Sequence, residues 1–218
     1  MSGFVKSSVL VALACLAGLL LWAEAQARLP NAPQGAPSTV ALLAFPPAQS
    51  GPRIWYTARN YPRLTLPDGR QEIVRSVLNV TKPMKFGGFV WDENNIPEGP
   101  VWVRIDLTRQ LLSVFRGGHE IGSAVILYGT DGKPTPTGSF TILQKDAHHI
   151  SHSYDAPMPY MLRLTNDGVA IHGSNVRQGW ATHGCIGVPL DFARLLFAAA
   201  SKGDPVVILP AQPGAKKA

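Results

Sequence analysis

Cys185 stands in the stretch Ala181-Thr182-His183-Gly184-Cys185-Ile186-Gly187, with His183 two positions before it and His172 thirteen before. A thiol becomes a useful nucleophile near neutral pH only with a base or a positive neighbour, because the thiolate is the reactive form and a free cysteine titrates near ~8.5. An imidazole supplies either role. Glycines around the thiol allow close approach of a substrate backbone, or φ > 0. The stretch therefore has the parts of a Cys–His active site, in the order His then Cys. A lone cysteine is also a common small hydrophobe of protein cores, so composition leaves a structural thiol open.

The start of the chain bears on that choice. Met1–Ala27 reads as a secretory signal: Lys6 is its n-region charge, Val9–Trp22 is an unbroken apolar run, and Ala23-Glu24-Ala25 and Ala25-Gln26-Ala27 are small-x-small cleavage patterns. The run is short for a membrane span, which needs about 20 residues. Cleavage after Ala27 removes Cys15 and leaves Cys185 as the single cysteine. An unpaired thiol in an oxidising compartment is a liability unless it is used. The expectation is a periplasmic or cell-envelope protein, in contact with a membrane only if the segment stays uncleaved.

The formal charge is +6 with or without the leader, and the basic residues are scattered, with no run beyond Lys216-Lys217. That pattern suits attraction to an anionic surface or polymer and not nucleic-acid binding.

The elements that must position the site follow from the pattern. Residues 28–52 are a Pro/Ala-rich spacer. Residues 53–98 form an N-terminal extension of unclear fold, with a turn at Leu66-Pro67-Asp68-Gly69, a strand within Ile73–Val80 and a short apolar piece at Phe86–Trp91. From 99 to 210 the chain is regular. Val101, Val103, Ile105 and Leu107 alternate with Trp102, Arg104 and Asp106, which predicts a half-buried strand. Leu111–Phe115 and Ile121–Leu127 follow as strands. The breaker-rich Gly129–Gly138 is a loop, and Ser139–Leu143 another strand. Tyr160–Leu164 and Val169–His172 flank the hairpin signal Asn166-Asp167-Gly168. Pro189 opens a helix over Leu190–Lys202, with Gly203 as its C-cap and Phe192, Leu195, Leu196 and Ala199 as its apolar stripe. Pro205–Leu209 closes the domain, and 211–218 is a tail. The sum is a mainly β, antiparallel sandwich-like domain with one helix after the Cys loop.

His172-Gly173, a loop, and then Thr182-His183-Gly184-Cys185-Ile186 resembles the L,D-transpeptidase catalytic domain family (YkuD, or ErfK/YbiS, group). Thr135-Pro136-Thr137-Gly138 is similar to its Thr-Pro-x-Gly turn, and Ala156-Pro157-Met158-Pro159-Tyr160 to a segment ahead of the histidine. The resemblance spans about Gly99 to Leu209. It implies a β-sandwich-like fold and action on peptidoglycan stem peptides: cleavage between a diaminopimelate L-centre and D-Ala, with acyl transfer to an amine, giving a 3→3 cross-link or attachment of a lipoprotein through a lysine. It makes Cys185 the nucleophile, His172 the base and the Gly173 carbonyl the third member. His183 shapes the pocket, the N–H groups of Gly184 and Cys185 form an oxyanion hole, and Thr182 braces the loop. One position departs: many members have Arg or Asn where this chain has Gly187. Arg177 in the variable loop is a candidate replacement.

His148, His149 and His152 cluster with Asp146 and Asp155. Their spacing matches no closed metal site, and neither metal nor cofactor is expected. They are read instead as a flap over the cleft, where His152 or Tyr154 touches substrate. Two other functions remain open at this level. The same site with water as acceptor gives an L,D-carboxypeptidase or linkage-cleaving amidase, and a non-catalytic wall-binding module would use neither Cys185 nor His172.

Overall fold

The computed structural model describes residues 48–50, 52–66, 68–151 and 153–212. The expected signal segment, most of the expected spacer, His152 and the end of the tail lie outside them. Fifteen strands and one α-helix are found among the described residues.

The largest sheet is built on a meander: β7 (Val101–Asp106), β8 (Leu111–Arg116) and β9 (His119–Val125) pair antiparallel in sequence order. Gly117 and Gly118, both at positive φ, make the tight β8–β9 turn. On the far side of β7, β15 (Pro205–Leu209) runs parallel to it and carries β10 (Gly138–Thr141) at the edge.

Segment 53–98 adds strands to this same sheet. β1 (Ala48–Ser50), β2 (Arg53–Trp55) and β5 (Ser76–Leu78) continue it beyond β9, and β6 (Phe89–Trp91) pairs with the other end of β9. β3 (Arg63–Thr65) and β4 (Gln71–Ile73) form a separate hairpin. The strand expected within Ile73–Val80 is thus split, because Val74-Arg75 carries the chain from the hairpin into the main sheet.

β7 is not half-buried. Val103 and Ile105 pack into the main core, while Trp102 stacks on Phe115 at 4.2 Å on the opposite face, with Leu64, Leu66 and Val74 over them. The extension covers the face that alternation alone assigns to solvent. It is fixed by Arg53, 2% exposed. The Arg53 guanidinium donates to Ser76 Oγ at 3.3 Å, to the Glu120 carbonyl, and to the Asp92 carbonyl at 2.5 Å.

The second sheet carries the site. Its order is β11 (Gln144–Ser151), β12 (Ala156–Arg163), β13 (Ala170–Gly173), β14 (Ile186–Val188). β11 is polar in sequence and was not expected. Its register with β12 runs from Gln144↔Arg163 to Ser151↔Ala156. β13 and β14 are parallel, joined by the loop 174–185. β14 also separates the Cys loop from the helix. That helix, α1 (Leu190–Ala199), is shorter than expected: Pro189 is its N-cap and Ala200 its C-cap. Gly203, at φ 95°, serves the turn into β15 instead. Lys145 caps the helix C-terminus, donating to the carbonyls of Phe197 (2.6 Å) and Ala200.

The main core lies between the two sheets and α1. Ile105, Leu112, Val114 and Ile121 from one side meet Leu162, Ile171, Ile186 and Val188 from the other, with Phe192 and Leu196 of the helix among them. The opposite face of the small sheet is left for the site.

Candidate active site

Strand register fixes where the two key side chains point. Ile171 pairs with Ile186 and both belong to the core. Side chains alternate along a strand, so His172 and Cys185, each one position away, share the other face. His172 lies directly opposite Gly187, and Cys185, the residue before β14, packs against Ala170. Both line one cavity of about 910 Å³. Cys185 is a free thiol, packed against Met158, Met161 and Ala170.

The imidazole is oriented. Its Nδ1 lies 3.0 Å from the Gly173 carbonyl. A carbonyl can only accept, so Nδ1 carries the proton and Nε2 keeps its lone pair for the cavity. Gly173 is tightly enclosed: a Cβ there would lie 2.9 Å from Leu190 Cδ1 and 3.2 Å from Pro159 Cγ. Burial lowers the His172 pKa, the Gly173 carbonyl opposes this, and nearby His149 adds to the lowering. Burial also pushes the Cys185 thiol up, which the Ala170 N–H offsets and Asp167 reinforces. Burial thus favours the neutral form of both the thiol and the imidazole.

The Cys loop is braced from two sides. Thr182 Oγ1 donates to the Cys185 carbonyl at 2.5 Å, closing the turn through Gly184, whose φ of 109° favours glycine. Thr135, 5% exposed, donates from Oγ1 to the Gly184 carbonyl at 2.9 Å and accepts the Gly129 N–H at 2.9 Å. The chain leaving β9 runs alongside: Leu127 and Gly187 exchange backbone bonds at 2.9 and 3.0 Å, and Thr182 N–H donates to the Tyr128 carbonyl at 3.0 Å. The Thr-Pro-Thr-Gly turn thus holds the nucleophile's loop through one buried hydroxyl.

At the cavity rim, the exposed His183 stacks on Tyr154 at 4.7 Å, with the rings 21° from parallel. Lys133 Nζ donates to Tyr154 Oη at 2.9 Å. Three chain segments meet here, since Tyr154 lies at the turn between β11 and β12. His149, 3.4 Å from the Asp146 carboxylate, also lines the cavity. Among the described residues no group of three or more His, Cys, Asp or Glu converges as a metal site. His152 lies outside them. Arg177 is not on the cavity wall: it donates to Asn175 Oδ1 at 3.1 Å and lies 5.3 Å from the Trp180 ring.

The family model of the L,D-transpeptidase catalytic domain (YkuD) matches residues 100–208, half of the chain. The chain belongs to this family. L,D-transpeptidase 1 of Mycobacterium tuberculosis is 28% identical over 120 residues, covering 47% of this chain and 48% of the relative. A probable L,D-transpeptidase 3 of the same organism is 29% identical over 96 residues, 34% of each chain. The chain thus spans about half the length or less of the curated relatives it matches. An L,D-transpeptidase structure from Stackebrandtia nassauensis is 27% identical, with a TM-score of 0.49 and coverage of 56% of this chain and 62% of that one.

Seen as a YkuD domain, this chain has little room for a side chain at Gly187. A Cβ there would lie 2.9 Å from Ser174 Cβ and 3.2 Å from Ser174 Oγ. Three polar residues of the cavity wall, Lys133, Gln144 and Arg163, escaped sequence reasoning. Lys133 sits just before the Thr-Pro turn, and no sequence signal marks the other two.

Proposed function

We propose that this protein is a peptidoglycan L,D-transpeptidase of the cell envelope that works through a Cys185 thioester. The observation that carries the reading is the placement of Cys185 and His172 on one face of the parallel pair β13–β14, beside one cavity, with Nδ1 of His172 held by the Gly173 carbonyl. Family membership supports the reaction class.

The donor is a tetrapeptide stem. As its carbonyl carbon approaches Sγ, Nε2 of His172 takes the thiol proton and the C–S bond forms. The N–H groups of Gly184 and Cys185 face the developing oxyanion. The C–N bond to D-Ala then breaks, and the imidazolium returns its proton to the leaving amine. An acceptor amine attacks the thioester, His172 takes its proton, and the thiol is regenerated. The acceptor is a second stem peptide, giving a 3→3 cross-link; a lipoprotein lysine is chemically equivalent.

Muropeptide product analysis tests the assignment. Incubation with a disaccharide-tetrapeptide is expected to release D-Ala and yield a 3→3 dimer, and Cys185→Ala to yield neither. Tripeptide without dimer, even with excess amine acceptor, would make the enzyme a carboxypeptidase. Turnover retained in Cys185→Ala would rule the mechanism out.

A further inference from the structure

The face of the small sheet that carries Cys185 also carries a cation that makes no ion pair among the described residues. Gln144 pairs with Arg163 across β11–β12, and Arg163 pairs with Ala170 across β12–β13. Cys185, the residue before β14, packs against Ala170, one step before the pair Ile171↔Ile186. Gln144, Arg163, Ala170 and Cys185 thus form one cross-strand row on one face. Strands lie ~4.8 Å apart, so the Arg163 and Cys185 backbones are roughly 10 Å apart. Ala170 lies between them in the row, paired with Arg163 and packed against Cys185. Gln144, Arg163 and Cys185 all line the cavity.

Arg163 is chemically unsatisfied. Its Nε is buried without a hydrogen-bond partner. Among the described residues its guanidinium makes no ion pair, whereas Arg53, Arg70, Arg104, Arg109 and Arg116 each pair with a carboxylate. The cavity's other permanent cation, Lys133, is bonded to Tyr154 at the rim. A guanidinium is a planar fork of donors that matches a carboxylate in bidentate fashion, and such charge-assisted pairs strengthen away from water. A cavity wall with this fork open, one small residue away from the thiol, is built to receive an anion attached to the group being attacked.

We propose that Arg163 is the carboxylate anchor for the donor, holding a free carboxylate of the stem peptide across Ala170 from Cys185 and so setting the scissile carbonyl over the thiol. This rests on the transpeptidase reading above. Of the donor's free carboxylates, the two on the residues that flank the scissile bond qualify, that of the third-residue side chain and that of the terminal D-Ala. The anchor makes the enzyme selective for donors in which that group is not amidated.

The test compares wild type, Arg163→Met and Arg163→Lys on three disaccharide-tetrapeptides: unmodified, amidated on the third-residue side chain, and amidated at the terminal D-Ala. Arg163→Met is expected to raise KM about 10–100-fold on the unmodified donor, with a smaller change in kcat and partial retention in Arg163→Lys. On one amide the penalty should vanish, and wild type should discriminate against that amide by a similar factor. Which amide it is identifies the carboxylate. Iodoacetamide should label Cys185 at the same rate in all three proteins. A penalty equal on all donors, or none, overturns the anchor.

If wild type turns over none of the donors, it is the transpeptidase reading that fails. The anchor is then judged by alkylation of Cys185 with a bromoacetamide bearing a carboxylate on a short alkyl arm, against its amide analogue. A preference for the acid in wild type that is lost in Arg163→Met upholds it, and no preference overturns it.

Discussion

His172 and Gly187 stand directly opposite each other across β13–β14, and Ser174 fills the space a side chain at 187 would need. The glycine is therefore a packing requirement of this site. Gly187→Ala is expected to destabilise the fold by about 1–3 kcal/mol, the usual cost of overpacking. Ser174→Gly in the same chain should recover most of that loss. Thermal melts of the two single variants and the double variant check this; additive losses in the double would show that the two positions do not share the space.

The electrostatics of the pair set the pH dependence. Burial lowers the His172 pKa, so the imidazole stays neutral, and able to accept a proton, below the ordinary histidine range near ~6.5. The acid limb of kcat/KM is expected below that value. Burial raises the Cys185 pKa, so alkylation of the free enzyme by iodoacetamide should still be climbing above the ordinary thiol range near ~8.5. A plateau in alkylation reached by pH 6–7 would mean a preformed thiolate–imidazolium pair and run against both burial effects. His172→Ala should cost nearly as much turnover as Cys185→Ala, since nucleophile and base act as a unit.

Thr135 links the Thr-Pro turn to the nucleophile's loop through a hydroxyl that donates to the Gly184 carbonyl and accepts from the Gly129 N–H. Thr135→Val keeps the shape and removes both bonds. The expected loss is about 1–3 kcal/mol of stability, from buried polar groups deprived of a partner. Turnover should fall as well, by more than in a surface control, because the loop bearing Gly184 and Cys185 loses its brace. Stability and kcat both unchanged would refute the bracing role.

How much of this was legible in the sequence depends on how local each signal is. Cys185, His172 and the glycines lie within sixteen residues, and their order identifies the chemistry directly. Asn166-Asp167-Gly168 announces the turn that brings β12 back beside β13. Arg163 could not be read this way. It meets Cys185 only because three strands stack in register, and nothing local separates it from any arginine at a strand end. β11 was hidden for another reason: Gln144–Ser151 is polar and its strand identity comes from pairing with β12, a case of context overriding propensity. The outer face of β7 was misjudged because the segment that covers it lies far back in the chain. Arg177 was a natural candidate by position in the loop, yet its side chain turns to Asn175 and Trp180.

The extension is held to the main sheet by a buried charge. Arg53 binds Ser76, Asp92 and the Glu120 carbonyl, and burial pushes the Glu120 carboxyl pKa up. Arg53→Met leaves those acceptors uncompensated. Breaking a buried pair from one side costs about 3–5 kcal/mol, which at about 2–4 °C per kcal/mol for a domain of this size lowers Tm by roughly 6–20 °C. Differential scanning calorimetry measures it, and a Tm within a degree of wild type would show that apolar packing alone holds the extension.

Intact-protein mass spectrometry is the sharpest test of the Cys185 thioester. The protein would be mixed with a disaccharide-tetrapeptide in the absence of an acceptor amine and quenched in acid at short times. A transient adduct equal in mass to the donor minus D-Ala is expected, mapped to Cys185 by peptide digestion and absent from Cys185→Ala. Donor turnover with no adduct on Cys185, or an adduct that persists in the alanine variant, would contradict it.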